Sequence, residues 1–302
     1  MEGLLATFAV ALIITPVVCT LARRAGIVDR AKGDALKIHK KPVALLGGLA
    51  VAVAWGLGFF VLRTSCFAHR KEMLWIVAGA ILVFGVGLWD DIKEVKPGTR
   101  LLVHMIAGVL VITAGVKISF IPMEWVAIPL TLLYIAGSIN ALNVTDGMDG
   151  LCAGMSLISC AGFFFLGFNE LNQILMMLSS VLFMSLFGFL PYNFHPARIF
   201  LGDAGSGFLG FMLGLMAILA TPKPFEIANF VTPILVIGVP VFDMAFAILR
   251  RLIRRKPLFM GDRDHLYDLL LRKGWSQPKV WGVMCSGQLA LVATALGIIN
   301  RM

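Results

Sequence analysis

Two short segments carry the residue types that could do chemistry. Residues 140–150 read NALNVTDGMDG and residues 200–207 read FLGDAGSG, so both place aspartates beside glycines at the end of a long apolar segment. A carboxylate next to a membrane is costly unless a cation lies beside it. Aspartate oxygens are ligands that Mg²⁺ prefers, and glycine lets a ligand approach the backbone. The two segments therefore indicate a divalent metal and a phosphate ligand.

In the first segment, polar side chains recur every three residues, at Asn140, Asn143, Asp146 and Asp149. If the preceding helix continues through them, they line one face. The asparagines could then recognise a nucleobase or a sugar amide, and the aspartates could bind metal. A turn built from Asn, Asp and Gly is the alternative. It accounts for the glycines but leaves the regular spacing unexplained.

The second segment opens an apolar helix with Asp203, Gly205 and Ser206, and Arg198 precedes it. Free backbone N–H groups at a helix N-terminus form a ready phosphate site. We therefore expect Arg198, Gly205 and Ser206 to contact phosphate and Asp203 to bring the metal. The alternative is an aspartate N-cap followed by glycines that serve helix packing.

Two adjacent carboxylates, Asp90 and Asp91, end another apolar segment. They repel each other, and they lie at the negative end of a helix dipole. A sequence that keeps both is expected to gain a metal ligand or a base. The alternative is a pair of solvated acids beside Lys93 and Lys96.

Basic and histidine-bearing stretches supply further candidates. His39 and Lys41 run into a Gly-Gly pair at 47–48, which could hold phosphate, although a positive flank and a close helix contact explain the same residues. His265 follows an arginine cluster and is a candidate acid–base group. Asp243 lies inside an apolar segment, where an ionisable residue is functional by default. It lies about 10 Å along the helix from Arg250.

Composition indicates the elements that must position these residues. The chain has 302 residues, is 59% hydrophobic and 14% charged, and has a mean hydropathy of +0.90, whereas a soluble domain carries about 25% charged residues. We predict an all-α polytopic membrane protein that forms a single domain over 1–302. A span needs ~20 mostly apolar residues. The candidates are 3–21, 43–62, 73–89, 101–115, 124–139, 150–168, 171–190, 204–220, 230–249 and 281–300.

Charge orients these ten segments. Twenty of the 26 lysines and arginines follow the first, third, fifth, seventh and ninth segments. These loops are therefore predicted to be cytoplasmic, with both termini outside. A basic cytoplasmic face suits anionic lipid headgroups and an anionic substrate, and we expect no nucleic-acid partner. The ninth segment, with Pro233, Gly238 and Pro240, is the one expected to bend.

The motif order resembles one membrane-enzyme family over essentially the whole chain. The motifs are, in order, Asp-Asp, N-x-x-N-x-x-D-G-x-D-G, F-x-G-D-x-G-S and a late histidine motif. This order is similar to that of the polyprenyl-phosphate N-acetylhexosamine-1-phosphate transferases. The resemblance implies that a polyprenyl phosphate, such as undecaprenyl phosphate, attacks a UDP-N-acetylhexosamine to give a polyprenyl-diphospho-sugar and UMP. It also implies Mg²⁺, with Mn²⁺ as a substitute, a plasma-membrane location, a cytoplasmic active site and a homodimer as one oligomeric state.

The resemblance assigns roles residue by residue. Asp90, with Asp91 beside it, matches the acid that handles the lipid phosphate, and 143–149 matches the nucleotide-sugar and metal motif. Asp203 matches the metal-binding acid, with Asp146 as its partner. His265 matches the first histidine of the late motif, as a catalytic group.

That late motif departs from the family pattern, because Tyr267 and Asp268 stand where further histidines are usual. The departure favours the N-acetylglucosamine branch over the peptidoglycan enzyme. A different class, an ion-coupled transporter, is compatible with Asp243 and the glycine-broken segments. Transporters, however, place coupling charges near the midplane at a repeat interface, and here the carboxylates collect at one face.

Overall fold

The computed structural model describes residues 2–29, 42–66, 72–221, 227–256 and 264–299. The regular elements of the described chain are helices apart from two two-residue strands, β1 and β2. The elements in chain order are α1 Glu2–Arg24, β1 Val28–Asp29, β2 Val43–Ala44, α2 Gly47–Cys66, α3 Glu72–Ile92, α4 Pro97–Thr113, α5 Glu124–Thr145, α6 Leu151–Asn169, α7 Gln173–Asn193, α8 Gly202–Leu219, α9 Ile227–Val236, α10 Gly238–Ile253, α11 Leu266–Arg272 and α12 Gln277–Ile299.

Seven of the described helices are long and apolar enough to cross a membrane: α1, α3, α5, α6, α7, α8 and α12. The count is eight if α9 and α10 together form one broken span. Each of the ten predicted segments overlaps a helix, but α2 and α4 offer only shorter apolar stretches. The all-helical polytopic class is therefore confirmed, whereas helix length alone does not establish ten crossings.

The predicted bend of the ninth segment is confirmed. α9 and α10 meet at Ile237 with an angle of 93° between them. Pro233 lies inside α9 and Gly238 begins α10. Proline removes a backbone hydrogen bond and glycine tolerates unusual backbone, so a break here follows from local chemistry.

Helix α8 is the centre of the bundle, with 89% of its span-length window buried against 28% for α1 and α12. Glycines allow this burial. A Cβ at Gly210 would lie 2.4 Å from the Ile139 Cα in α5, and one at Gly87 in α3 would lie 2.5 Å from the Asp203 carbonyl oxygen. Small residues let helix backbones approach closely. As a result, the ends of α3 and α5 meet the start of α8.

A short antiparallel pair of strands joins the segment after α1 to the segment before α2, and the second strand also contacts the segment before α8. Val28 and Asp29 pair with Ala44 and Val43. The backbone N–H of Phe200 then donates to the Ala44 carbonyl at 2.8 Å. The predicted phosphate contacts His39 and Lys41 lie outside the described residues.

Candidate active site

The ends of α3, α5 and α8 enclose a cavity of about 470 Å³. It is rich in carboxylates and lies at one end of the helix bundle. Several of its lining residues are ones that the sequence singled out. The polar residues that line it are Asp29, Asp90, Asp91, Asn143, Asp146, Asp149 and Asp203.

Asp91 caps the N-terminus of α8. Its two carboxylate oxygens accept hydrogen bonds from the backbone N–H groups of Asp203, at 2.7 Å, and Ala204, at 3.0 Å. Gly202 makes this contact possible, because its φ is +74° and a Cβ there would lie 2.7 Å from the carboxylate. The positive end of α8 thus compensates the negative end of α3. These two N–H groups, expected to bind phosphate, bind a carboxylate of the protein itself.

Arg100 joins the carboxylates of two helices. Its guanidinium forms an ion pair with Asp90 and lies 3.6 Å from an oxygen of Asp203. Asp90 also accepts a hydrogen bond from the Val95 N–H at 2.7 Å. Sequence reasoning did not single out Arg100. The available signal was its position in the first turn of the helix that follows the Asp-Asp pair.

Asn143 supports Asp203 from α5. Its side-chain amide donates to the Asp203 carboxylate and, at 3.2 Å, to the Ser206 hydroxyl. The charges of α3 and α4 are therefore linked to polar groups of α5 and α8 in one network.

The helical face predicted over 140–149 does not form as a whole, because α5 ends at Thr145. Asn143 and Asp146 reach the cavity from the end of the helix, and Asp149 reaches it from the following turn. Asn140 does not line the cavity, since its amide donates to the Ala136 carbonyl of its own helix at 2.7 Å. The predicted helical face and the alternative turn are thus each confirmed in part, the face as far as Thr145 and the turn after it.

Asp149 is held in place by the segment after α7. One of its carboxylate oxygens lies 2.8 Å from Nδ1 of His195 and accepts a hydrogen bond from the Ala197 N–H at 3.1 Å. Its position on the cavity wall therefore depends on contacts across more than 40 residues of sequence.

Asp146 lies in an unusual electrostatic environment. Burial raises the pKa of its carboxyl well above the ordinary value, and the nearby charges of Asp203 and Asp91 raise it further. A buried carboxylate among like charges favours a proton or a cation beside it. The cavity is therefore suited to bind a positive ion.

The donor set is that of a hard cation. Carboxylate oxygens are typical Mg²⁺ ligands. Within the described ranges, no group of three or more His, Cys, Asp or Glu side chains forms a ready-made metal centre. Mg²⁺ usually keeps several waters and takes one or two carboxylates together with substrate phosphates.

His265 does not line the cavity. It is 5% exposed, and its Nδ1 lies 3.0 Å from the carboxylate of Asp243, which also accepts a hydrogen bond from the Leu266 N–H at 2.9 Å. Tyr267, two residues further along the chain, donates its hydroxyl to the Val144 carbonyl at 3.4 Å. Asp243 and His265 thus contact each other, and α11 contacts the cavity wall through Tyr267.

Three other predicted contacts also lie off the cavity. Arg198 is exposed, and its carbonyl oxygen accepts a hydrogen bond from Arg23 at 3.3 Å. Gly205 is buried against Gly48, so the packing alternative describes both glycines. The buried Ser206 hydroxyl donates to the Gly202 carbonyl at 3.0 Å.

The chain is similar to a known protein family over the residues that form the cavity. A family model described as glycosyl transferase family 4 matches residues 73–221, which include all the cavity aspartates except Asp29. The probable undecaprenyl-phosphate N-acetylglucosaminyl 1-phosphate transferase of Bacillus subtilis (strain 168) is 34% identical over 274 residues, which cover 88% of this chain and 75% of that protein.

Two further relatives carry related names. The decaprenyl-phosphate N-acetylglucosaminephosphotransferase of Mycobacterium leprae (strain TN) is 30% identical over 278 residues, which cover 80% of this chain and 70% of that protein. The phospho-N-acetylmuramoyl-pentapeptide-transferase of Thermotoga neapolitana is 34% identical over 319 residues, which cover 98% of each chain.

Proposed function

The chain belongs to glycosyl transferase family 4, and on this premise we propose that it transfers N-acetylglucosamine 1-phosphate from UDP-N-acetylglucosamine to a polyprenyl phosphate. The products are polyprenyl-diphospho-N-acetylglucosamine and UMP. The observation that carries the proposal is the cavity in which Asp90, Asp91, Asp146 and Asp203 meet Asn143. The names of the Bacillus and Mycobacterium relatives support the donor sugar and the lipid acceptor.

The reaction needs little base. A phosphate monoester has its second pKa near ~6, so the lipid phosphate is mostly dianionic at neutral pH. Its oxygen attacks the β-phosphorus of the donor, the bond from that phosphorus to the oxygen of UMP breaks, and UMP leaves with the electron pair. The task of the site is to hold two repelling anions in line. We propose a single displacement in which Asp90, fixed by Arg100, positions or deprotonates the lipid phosphate.

Asp203 and Asp146 are the residues that we propose hold Mg²⁺, with Mn²⁺ as a substitute. When bound, the ion neutralises charge that develops on the phosphate oxygens. The raised pKa of Asp146 supports this assignment, because a carboxyl that burial and like charges destabilise as an anion gains from a nearby cation. Asn143 then orients Asp203 through its amide hydrogen bond.

The membrane arrangement is part of the proposal. We propose a single domain with ten crossings, both termini outside, in the plasma membrane. The carboxylate cavity then faces the cytoplasm, where a UDP-sugar is available, and the acceptor enters from the lipid beside the broken helices α9 and α10. The basic loops support this orientation. A homodimer is the oligomeric state that we expect.

A second donor has a specific observation in its favour. The Thermotoga relative named phospho-N-acetylmuramoyl-pentapeptide-transferase aligns over 98% of both chains. Against it, Tyr267 and Asp268 occupy positions where that branch is expected to carry histidines. A transporter is not favoured, because the cavity carboxylates lie together at one end of the bundle.

The deciding experiment uses purified protein with Mg²⁺, undecaprenyl phosphate and a panel of UDP-sugars, and it measures UMP release. We expect UMP with UDP-N-acetylglucosamine, and a loss of about a hundredfold or more in Asp203→Asn. Glu124→Gln is the matched control, since it removes an exposed carboxylate at the opposite end of α5. It should keep the wild-type rate.

Each outcome of this assay has a meaning. Release with the UDP-N-acetylmuramoyl-pentapeptide alone would establish the second donor. No UMP with any donor from folded wild-type protein would contradict the proposed function. Full activity in excess EDTA would contradict the metal assignment.

A further inference from the structure

A fully buried glutamine, Gln288 of α12, lies at the break between α9 and α10. A broken helix leaves carbonyls without partners on one side and N–H groups without partners on the other. Inside a membrane, water cannot satisfy these groups, and neighbouring helices must do so. The residues around a sharp helix break therefore decide whether the break is tolerated.

The Gln288 amide bonds to both sides of the break. Its Nε2 donates to the Val236 carbonyl at the end of α9, and its Oε1 accepts from the Val239 N–H at the start of α10, at 3.0 Å. The same Nε2 lies 3.2 Å from the Ser159 hydroxyl in α6 and donates to it. An amide carries both a donor and an acceptor, so one side chain can satisfy both helix ends.

The direction of α10 matters for the cavity. Five residues after its start, α10 carries Asp243, which binds both His265 and the backbone of Leu266. These contacts hold the start of α11. Tyr267 in α11 donates to Val144, and any Cβ added at the adjacent Gly147 would lie 2.0 Å from the tyrosine hydroxyl.

A continuous series of contacts therefore connects the helix break, through α10 and α11, to the cavity wall. The wall segment after Val144 carries Asp146 and Asp149, both of which line the cavity. A change in the angle at the break would move α10, and α11 would either move with it or lose its hold on this segment.

We propose that Gln288 is a positioning residue that holds α9 and α10 at their observed angle and, through Asp243 and α11, fixes the wall that carries Asp146 and Asp149. The activity arm of the test rests on the proposed function. The structural arm does not, and it stands even if the reaction is a different one.

The structural arm measures the distance between spin labels at Phe246 of α10 and Leu133 of α5, both exposed. Each label is attached to a cysteine introduced at its position. Cys19, Cys152, Cys160 and Cys285 are buried and are kept, whereas Cys66 is replaced by serine so that it takes up no label. Phe246 lies eight residues, or about 12 Å, beyond the start of α10, so a 30° change in the bend would move it by about 6 Å. We expect Gln288→Met to shift or broaden this distance and Thr294→Val to leave it unchanged.

The control variant is matched to the test variant. Thr294 is an exposed polar residue of the same helix, and its hydroxyl donates to the Ala290 carbonyl within α12. Gln288→Glu is the conservative variant, because a buried glutamic acid stays protonated and keeps one donor and one acceptor. Ser159→Ala removes one partner of the amide and serves as a milder variant if Gln288→Met does not fold.

The activity arm compares rates per mole of folded enzyme. We expect kcat/KM to fall about tenfold in Gln288→Met, to fall less in Ser159→Ala and to recover in Gln288→Glu. A residue with a purely structural role would lower the melting temperature without changing the rate of the folded fraction. An unchanged label distance with full activity in Gln288→Met, or in Ser159→Ala if Gln288→Met does not fold, would overturn the proposal. Inactive wild-type protein would instead contradict the proposed function.

Discussion

At the scale of single residues, the cavity aspartates differ in what neutralises them. Asp90 faces a guanidinium, Asp91 faces two backbone N–H groups, and Asp149 faces an imidazole and one N–H. Asp146 is half-buried and lies among like charges. Identical side chains are therefore stabilised as anions to different degrees. We expect a bound cation to stabilise the Asp146 carboxylate most.

The raised pKa of Asp146 predicts a pH dependence of stability in metal-free protein. A carboxyl that binds its proton more tightly when folded stabilises the fold most below the ordinary carboxyl pKa of about 3.9. Stability should then fall as the pH rises from that value toward the folded-state pKa. We expect the melting temperature in detergent and EDTA to decline over this range in the wild type, and to decline less in Asp146→Asn.

Added Mg²⁺ supplies the control for this prediction. It should restore wild-type stability at the higher pH values and have a smaller effect on Asp146→Asn. Parallel pH profiles for the two proteins, with the same response to Mg²⁺, would contradict the raised pKa of Asp146 and its contact with the metal.

At the scale of elements, the glycine contacts of α8 decide how closely the bundle closes. A Cβ on Gly48 of α2 would lie 2.3 Å from the Gly205 Cα, which is backbone and cannot move aside as a side chain can. These residues attracted notice as phosphate contacts, and the structure gives them to helix packing. The same contact keeps the start of α8 beneath the cavity.

Gly48→Ala is therefore expected to destabilise the protein by about 1–3 kcal/mol, the usual cost of overpacking. Gly56→Ala is its matched control in the same helix, because a Cβ there meets no atom within 4 Å. Alanine also favours helix over glycine, so the control should keep or slightly raise the melting temperature. Equal melting temperatures for the two variants, measured in the same detergent, would contradict the close α2–α8 contact.

At the scale of the whole molecule, the number of membrane crossings sets the sides on which the two termini lie. Seven described helices are long enough, and α2, α4 and the α9–α10 pair determine whether the total reaches ten. An even number of crossings places both termini on one side. The distribution of lysine and arginine predicts that side to be the outside.

Fusions to the C-terminus test this topology. Alkaline phosphatase is active outside the cytoplasm, so a C-terminal fusion should be active, and a fusion after Lys256 in the loop between α10 and α11 should be inactive. Green fluorescent protein at the same two sites is the reciprocal control and should fluoresce only after Lys256. The opposite pattern at the C-terminus would mean an odd number of crossings or a reversed orientation.

The amino-acid sequence was enough to assign the class of the protein and to select the residues worth examining. Membrane class depends on composition and hydropathy, which are properties of contiguous segments, and the bend near Pro233 and Gly238 depends on local backbone chemistry. The acidic residues could also be recognised without a structure, namely the Asp90–Asp91 pair, the 140–150 segment and Asp203. Carboxylates beside apolar segments are unusual, whatever the packing of those segments.

Which of these residues act together follows from how the helices pack. Asp91 meets Ala204 across 113 residues of sequence, and Gln288 meets Val236 across 52. Such pairs depend on which helices pack and at what angle, and neither is a property of a contiguous segment. For the same reason Asn140, Arg198 and His265 were good candidates by residue type, yet the fold places all three outside the lining of the cavity.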